Sequence, residues 1–435
     1  MANEETESEE FEKIEYEDKF DKNRAFKHVE KLAIPRLVGS EGEQKAAKYI
    51  KEKIDKLGIK AKEEKFEFTD WVWDVVIRLT EGLKAGLIVI TLLMLFLPAP
   101  GPLIGVILSV FFLILTFYSS IWARFFWKYQ NSEGKIFKVK KYKSKNIIAK
   151  VPSQEGADKA GGDIIILAHY DSKSQTFSAL WRVVFFYATL IFGIGFSVGY
   201  VGYYIAAPLF PAPFATTGKI ILLSIAIIVV GAMVLLEINQ TGNRSHGAIN
   251  NATGVGIMME LVEIFAKEPL ENMNLTFVAT GAGEMGLFGA ISFFKAHESE
   301  YDKEETFIIN LKDIARRGHL YIPGPIGFPP QLPCLEVENL YKKSLKRRKL
   351  PIKEGSKTNI GVFSPWVFTG AWNDDMIAVL RGFNANRVGI GGRLRKKRII
   401  HTKKDTIDKV DPDAIDIIGK TTAEVLKRLD LRSRT

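Results

Sequence analysis

Hydrophobic residues are concentrated in two long segments of the chain, and outside them apolar and charged positions alternate as in a globular domain. These segments comprise residues 83–126 and 181–238. Each contains two uncharged runs joined by a proline-rich turn. Gly101–Ala123 and Val183–Ala207 are long enough to cross about 30 Å of hydrocarbon, whereas Ala85–Leu97 and Ile220–Leu236 are shorter partners. Because both segments repeat this pattern, it favours four transmembrane helices in two hairpins over buried helices of a soluble core.

The charges that flank these runs predict their orientation. The turns Pro98–Pro102 and Pro208–Thr217 carry no charge, while the opposite ends of the runs are rich in lysine and arginine. These basic residues are Arg124, Lys128, Lys135, Lys138, Lys140, Lys141, Lys143, Lys145 and Arg182. Positively charged flanks remain on the cytoplasmic side of a membrane. We therefore expect an integral membrane protein whose globular part and both termini are cytoplasmic. The short run Ala85–Leu97 requires either Lys84 to extend to the membrane surface or Pro98–Pro102 to turn at the interface.

The remaining segments, residues 23–82, 127–180 and 239–435, predict one α/β domain. Short apolar runs predict strands at Asn146–Val151, Asp163–Ala168, Leu275–Thr280, Thr306–Leu311 and Asn386–Ile390. Amphipathic stretches predict helices at Glu43–Leu57 and Thr253–Lys267. This alternation indicates a three-layer α/β/α fold with a mainly parallel central sheet. Residues 1–22 are acidic and contain no apolar stretch, which predicts a disordered tail rather than a signal peptide.

Three residues capable of site chemistry lie just beyond predicted strands. His169, Glu284 and Lys312 each follow the carboxyl end of a buried apolar run. The carboxyl ends of parallel strands meet at one edge of a sheet, which is where such folds place their functional residues. We therefore expect these three side chains to share one site.

Five short motifs occur in the order found in a known peptidase family. They are His169-Tyr170-Asp171, Asn250-Asn251-Ala252-Thr253-Gly254, Gly283-Glu284-Met285-Gly286-Leu287, Asn310-Leu311-Lys312 and His401-Thr402-Lys403-Lys404-Asp405-Thr406. With these motifs the chain resembles the M28 family of zinc aminopeptidases, and the resemblance covers most of the sequence outside the two hairpins. It implies a zinc-aminopeptidase fold of the phosphorylase/hydrolase-like type and the hydrolysis of peptide bonds at amino termini.

The resemblance also assigns a role to each matching position. The metal-ligand positions are occupied by His169, Asn250, Glu284, Lys312 and His401. Gly283 stands where the family has the glutamate that acts as general base, and Asp171 stands where an aspartate orients the site. In the family these side chains hold two zinc ions.

Three of these positions carry residues that do not support two-metal hydrolysis. Asn250 replaces the bridging aspartate with a neutral amide. Lys312 replaces an acidic ligand with an ammonium group, which donates hydrogen bonds and does not bind a metal. Gly283 has no side chain to take a proton from water. The family's bridge, base and two acidic ligands carry about four negative charges, and here the same positions sum to about zero.

These substitutions predict a site with at most one weakly held zinc, on Glu284 and His401, or with none. We expect the Lys312 ammonium to stand where a zinc stood and to pair with Glu284 or Asp171. Two residues offer other arrangements. Asp313 replaces Lys312 if the strand end slips by one residue, and His246 adds a nitrogen ligand if the neighbouring loop is rebuilt.

Composition and charge limit the remaining possibilities. The chain has 435 residues, a formal net charge of +10 and one cysteine, Cys334, which excludes an internal disulfide framework. Two basic clusters are candidates for contact with anionic lipid, the alternative being a solvated surface. They contain Lys342, Lys343, Arg347, Arg348, Arg395, Lys396, Lys397 and Arg398. A nucleic-acid partner is not expected, because no recognition motif is present and the basic stretches lack interleaved aromatic residues.

Two functions are compatible with this sequence. One is a membrane-anchored M28-type metallopeptidase, impaired or inactive, that acts on peptide or protein substrates. The other is a non-catalytic scaffold or peptide-binding pseudoenzyme that has kept the fold without the metals. The sequence determines neither the substrate nor the oligomeric state.

Overall fold

The computed structural model describes residues 19–69, 78–129, 140–316, 320–321, 333–348, 373–390 and 397–432. Most of the predicted tail, residues 1–22, lies outside these ranges. Phe20 is already buried, with 5% of its surface exposed. The Asp21 side chain accepts hydrogen bonds from Asn23 N and Arg24 N, and so caps the first helix. The predicted domain boundary after Lys22 is therefore a few residues too late.

A seven-stranded sheet forms the centre of the globular domain. The strands of the described chain are β1 (Lys62–Thr69), β2 (Lys141–Val151), β3 (Gly162–His169), β4 (Ser174–Gln175), β5 (Thr241–Gly242), β6 (Met273–Thr280), β7 (Thr306–Leu311), β8 (Leu320–Tyr321) and β9 (Asn384–Ile390). The order in the sheet is β1-β2-β6-β3-β7-β9-β8. Neighbours among β6, β3, β7 and β9 are parallel, while β1, β2 and β8 pair antiparallel at the edges. The five predicted strands and the mostly parallel sheet are confirmed.

Helices cover both faces of this sheet. Those of the globular domain are α1 (Lys22–Leu32), α2 (Glu41–Asp55), α7 (Thr253–Lys267), α8 (Phe288–His297), α9 (Leu335–Arg347), α10 (Asp374–Leu380) and α11 (Pro412–Arg432). Side chains alternate along β3: Ile164 and Ile166 join a core that includes residues of α1, α2, α7 and α11. Ile165 and Leu167 join a second core with α8 and α10. This alternation builds the three-layer α/β/α arrangement.

The remaining helices are α3 (Arg78–Met94), α4 (Gly101–Tyr129), α5 (Ala179–Ala206) and α6 (Ala212–Glu237), which pack together around an apolar centre. In the described chain three helices, α4, α5 and α6, are long and apolar enough to cross a membrane. Helix α3 has 17 residues. Its Lys84 does not extend outward as expected, because it is 6% exposed and donates to Glu81 Oε1 at 2.7 Å. A fourth span therefore stays a prediction.

The second hairpin, α5 and α6, is tied to the globular domain at both of its ends. Strands β4 and β5, which flank it, pair with each other. Thr176 N donates to Gln240 O at 3.1 Å, and Phe177 N donates to Asn239 Oδ1 at 3.1 Å. Since β4 follows five residues after the end of β3, the start of α5 lies next to the carboxyl edge of the sheet.

A buried carboxyl group at the start of α2 makes stability depend on pH. Glu43 is 4% exposed and accepts hydrogen bonds from Ser144 Oγ and Gly39 N, each at 2.6 Å. Burial raises its pKa from 4.5 to about 7, against the lowering effect of these hydrogen bonds. The folded protein therefore binds a proton that the unfolded chain releases between these two values.

We expect this proton to contribute stability that is fully present below the unfolded pKa of Glu43 and lost as pH rises through the folded pKa of about 7. Glu43→Gln mimics the protonated carboxyl and should flatten this part of the profile. Thermal denaturation from pH 4.5 to pH 8, spanning the unfolded and folded pKa values, measures the difference. Parallel profiles for both proteins would contradict the assignment.

Candidate functional site

The site lies at the carboxyl edge of the parallel strands, where five predicted residues meet. His169 ends β3, Lys312 follows β7, and Glu284 lies in the loop after β6. Asn250 and His401 reach the same point from two other loops. Four of them are almost fully buried, with exposed fractions of 1% for His169, 3% for Asn250, 7% for Glu284 and 6% for Lys312. The predicted convergence of these positions is thus present in the structure.

The Glu284 carboxylate is the centre of this arrangement. Its Oε1 lies 3.6 Å from Lys312 Nζ, and its Oε2 lies 3.6 Å from Lys173 Nζ and 2.8 Å from His401 Nε2. Lys173 Nζ also donates to the Glu284 carbonyl oxygen at 2.5 Å. Both carboxylate oxygens are therefore already engaged by protein donors.

Asn250 connects Glu284 to His169 through its amide. Its Nδ2 donates to Glu284 Oε1 at 2.7 Å and lies 3.0 Å from His401 Nε2. Its Oδ1 lies 3.1 Å from His169 Nε2. An aspartate has no hydrogen to donate to Glu284, so the amide suits this network in a way that a bridging carboxylate does not.

Asp171 holds the loop that carries Glu284. Its two carboxylate oxygens accept hydrogen bonds from Gly283 N at 2.8 Å and Glu284 N at 2.9 Å. Its Oδ1 also lies 3.3 Å from His169 Nδ1. Asp171 thus positions both His169 and Glu284, in keeping with the orienting role that the sequence predicts.

Gly283 packs too closely on His169 to hold a larger residue. A Cβ atom at this position would lie 2.6 Å from His169 Cβ and 2.8 Å from His169 Cγ. Such contacts require the loop or the histidine to move. In this structure the position of the family's general base has neither the side chain nor the space for it.

His401 makes its second contact with α5, a helix of the second apolar hairpin. Arg182 Nη2, in the first turn of α5, lies 2.5 Å from His401 Nδ1, and Gln175 Oε1 lies 3.2 Å from the same nitrogen. A guanidinium only donates, so Nδ1 accepts, which leaves the proton on Nε2 to be donated to Glu284. Burial lowers the pKa of His401 from 6.5 to about 4, consistent with a neutral ring.

The charge of Glu284 is stabilised by its neighbours. Burial by itself raises the pKa of this carboxyl, but His401, Lys312 and Lys173 together hold it well below its usual range. The site therefore contains one ionised carboxylate between two ammonium groups. This is the ionic arrangement predicted for Lys312, with Lys173 in addition.

This donor set does not fit a divalent metal. Two ammonium groups lie against the Glu284 carboxylate, the Asn250 amide nitrogen points at it, and both of its oxygens have partners. Among the residues that the structure describes, no three His, Cys, Asp or Glu side chains are grouped so that they could hold a metal ion. A metal at Glu284 would have to displace these donors and approach two positive charges.

Three contributors to the site were not predicted as site residues. Lys173 and Gln175 are ordinary polar residues in sequence, and Arg182 was expected only as a basic flank of a membrane helix. Their position in the sequence, shortly after a predicted parallel strand, could have indicated this role. Such residues lie near the carboxyl edge of the sheet.

A buried guanidinium organises the loops beneath the site. Arg36 is 0% exposed and donates to the carbonyl oxygens of Ile34, Tyr170, His246 and Gly247 over 2.6–3.1 Å. Asp405 supports the same loop from the other side, since its carboxylate accepts from Ile249 N at 2.7 Å and Asn250 N at 3.3 Å. These two residues hold the backbone that presents Asn250.

The two substitute ligands do not lie against Glu284. The His246 side chain is exposed, and its carbonyl oxygen is bound to Arg36. Asp313 has a left-handed backbone with φ of 60°, and its N–H donates to Asn251 Oδ1 at 3.2 Å. Lys312, the first residue after β7, reaches Glu284, so the predicted alternatives of a strand slip and a histidine ligand do not form in this structure.

The basic clusters are partly engaged within the domain. Arg347 and Arg348 both bind the Glu424 carboxylate, at 2.6 Å and 3.3 Å, and Lys342 pairs with Glu338 at 2.6 Å. Arg395 and Lys396 lie outside the described residues. Three other members, Lys343, Lys397 and Arg398, are at least partly exposed. Contact with anionic lipid through these clusters stays a prediction, and Arg347 and Arg348 already have an acidic partner.

Comparison with known proteins agrees with the motifs. Residues 230–426 match the family model described as peptidase family M28. This match covers somewhat less than half of the 435-residue chain. A curated relative, the alkaline phosphatase isozyme conversion protein of Escherichia coli (strain K12), is 31% identical over 93 residues, which is 21% of this chain. The match spans only 27% of that relative.

Several solved structures of other proteins have a similar fold. The aminopeptidase from Aneurinibacillus sp. strain AM-1 superposes with a TM-score of 0.52 at 14% identity, covering 94% of each chain. The zinc aminopeptidase BSAP from Bacillus subtilis gives a TM-score of 0.52 at 13% identity, covering 95% of this chain and 96% of that one. An Acidobacteriales bacterium glutaminyl cyclase gives 0.51 at 13% identity, covering 96% and 98%. At such low identity these likenesses establish the fold alone.

Proposed function

We propose that this protein is a membrane-anchored M28 homologue that has lost metal-dependent peptide hydrolysis and acts as a ligand-binding or scaffold module. The observation that carries this proposal is the ion pair of Lys312 with Glu284, 3.6 Å apart at a position where the family has two acidic metal ligands. The Asn250 amide completes the replacement, because it donates to Glu284 at 2.7 Å. These donors neutralise the carboxylate that a metal would otherwise neutralise.

The absent general base supports the same proposal. General-base assistance contributes typically about 10²–10⁴ in rate, and Gly283 supplies no group for it. His401 is not an alternative base in this arrangement, because its Nδ1 faces Arg182 and its Nε2 faces Glu284. The site therefore lacks both a suitable set of metal ligands and a general base.

Metal analysis tests this function. We expect purified, dialysed protein to contain far less than one zinc per chain and to show no aminopeptidase activity on aminoacyl p-nitroanilides. The double variant Asn250→Asp with Lys312→Asp should gain zinc, since it restores two carboxylates beside Glu284. Gly283 is left unchanged because a Cβ there would lie 2.6 Å from His169. Lys346→Asp, which makes the same charge change as Lys312→Asp but on an exposed residue, is the control.

A single-zinc peptidase is the alternative, with the metal on Glu284 and His401. Near-stoichiometric zinc that survives dialysis, together with hydrolysis that Glu284→Gln abolishes, would establish it and remove the proposal. Zinc gained equally by Lys346→Asp would show that the double variant acts through charge alone.

We further propose that the protein is anchored by four spans with the M28 domain in the cytoplasm. Three apolar helices support membrane insertion, and the basic flanks support the orientation. In a Cys334→Ala background we expect an impermeant maleimide to label Ala99→Cys and Leu209→Cys in intact cells. Lys346→Cys should react only after permeabilisation. The opposite labelling pattern would reverse the orientation, and labelling of Leu209→Cys alone would reduce the number of spans.

A further inference from the structure

Arg182 links the former metal site to the membrane hairpin. It lies in the first turn of α5, a helix long and apolar enough to cross a membrane, and its Nη2 is 2.5 Å from His401 Nδ1. Only one helical turn therefore separates the site from the start of a candidate span. A ligand at the membrane surface can reach this guanidinium.

The guanidinium of Arg182 has donor capacity that the described protein does not use. Its Nε is fully buried and has no hydrogen-bond partner. Among the described residues its one hydrogen bond goes to the neutral His401, and no carboxylate lies within ion-pair distance of it. A buried charged donor without a partner is unfavourable. An anion bound to the Arg182 guanidinium would satisfy these donors.

The nearest carboxylate does not supply that anion. Glu284 is already bound by Lys312, Lys173, Asn250 and His401. Arg182 is a further positive group for which Glu284 is not an ion-pair partner. This positive charge favours a ligand that carries negative charge.

The backbone at the start of α5 also favours an anion, as the basic side chains do. This helix has 28 residues, and the side chain of its N-cap residue, Ser178, makes no capping hydrogen bond. The first N–H groups of a helix and its dipole attract anions. They supplement the charge of Arg182 and Lys173 and do not replace it.

Aromatic residues indicate that the start of α5 lies at the membrane–water interface. Trp181 is 54% exposed and stacks on Phe185 with ring centroids 5.9 Å apart. Phe177 packs edge-on against Phe185 at 5.3 Å. Exposed tryptophan at the end of an apolar helix is typical of the headgroup region. The unpaired guanidinium and the headgroups of a bilayer therefore occupy the same depth.

We propose that Arg182, together with Lys173 of the same site, binds the phosphate group of an anionic phospholipid at the former metal site. Arginine forms paired hydrogen bonds to phosphate oxygens, and the neutral His401 holds the guanidinium in place. This inference rests on the proposed membrane anchoring and on the absence of zinc. It identifies the ligand of the site as lipid and not as a peptide.

Binding is measured on full-length protein in neutral detergent, as the shift in thermal midpoint on titration with short-chain lipid. Dioctanoyl phosphatidylglycerol should stabilise the wild type in a saturable way, and dioctanoyl phosphatidylcholine should do so more weakly because its headgroup has no net charge. Arg182→Gln should weaken the phosphatidylglycerol response by about tenfold or more. Arg182→Lys should keep part of it, and Lys60→Gln, at an exposed lysine outside both basic clusters, should leave it unchanged.

Each other result counts against the proposal. An equal response in wild type and Arg182→Gln, or no response to phosphatidylglycerol in a folded wild type, overturns it. A shift of the same size with inorganic phosphate at equal concentration overturns the lipid assignment. Zinc is measured on the same samples. A protein that contains zinc but still responds to phosphatidylglycerol through Arg182 would refute the proposed loss of metal and leave this lipid site intact.

Discussion

Arg36→Met is expected to lower the free energy of unfolding by about 3–5 kcal/mol, as is typical when one member of a buried polar network is removed. The reason is the number of groups that the guanidinium satisfies. It is 0% exposed and donates to the carbonyl oxygens of residues in three separate loops. Methionine fills a similar volume and donates nothing. Several buried carbonyl groups lose a partner, each at a cost of about 1–3 kcal/mol before relaxation.

Two variants serve as controls for this prediction. Arg36→Lys keeps a positive charge but has a different donor geometry, so we expect an intermediate loss. Arg398→Met removes an exposed arginine and should change stability by about 0.5 kcal/mol or less. Chemical denaturation of the three proteins in the same detergent gives the comparison. If Arg36→Met and Arg398→Met behave alike, the guanidinium does not hold these loops.

The fold was predictable because its signals are local. Five apolar runs predicted the strands, because a strand that is buried on both faces is apolar at nearly every position. Strand β2 begins at Lys141, five residues before the predicted Asn146. Its added part pairs with β1, at the edge of the sheet. There the residues are polar, so hydrophobicity does not report them.

The candidate site was predictable as a set of positions but not as a network. The motifs indicated that His169, Asn250, Glu284, Lys312 and His401 converge, and charge counting indicated that Lys312 pairs with Glu284 or Asp171. Lys173 and Arg182 were missed because their role depends on the path of the chain around an inserted hairpin. No short motif encodes that path. The close packing of Gly283 on His169 is likewise a tertiary contact.

The long apolar helices were predicted more clearly than their number of membrane spans. Long uncharged runs predicted α4, α5 and α6, because length and hydropathy are enough to identify such helices. Helix α3 is less clear, because Lys84 and Glu81 place charges in its first half and bind each other. A lysine that pairs inside its own helix need not extend to the membrane surface. Sequence length does not distinguish these two arrangements.

Glu284→Gln is expected to be the most destabilising change within the site, by about 3–5 kcal/mol. The carboxylate is 7% exposed and is the acidic partner of both Lys312 and Lys173. A glutamine of the same shape removes the carboxylate against which both ammonium groups lie. We expect Glu284→Gln with Lys312→Met to recover part of the loss, with a coupling energy of about 0.5–3 kcal/mol. Denaturation of the four proteins of this cycle measures it.

The single variant Lys312→Met separates the two interpretations of the site by the sign of its effect. In a metal-free network Lys312 helps to neutralise Glu284, so its loss destabilises the protein, and a chelator such as EDTA changes nothing. If Glu284 instead holds zinc, Lys312 repels that ion from a few ångströms away. Removing the lysine then tightens zinc binding and raises stability by linkage, and EDTA cancels the gain. Because Lys312 Nζ lies 3.6 Å from Glu284 Oε1, we expect the first outcome: destabilisation by Lys312→Met that is the same with and without EDTA.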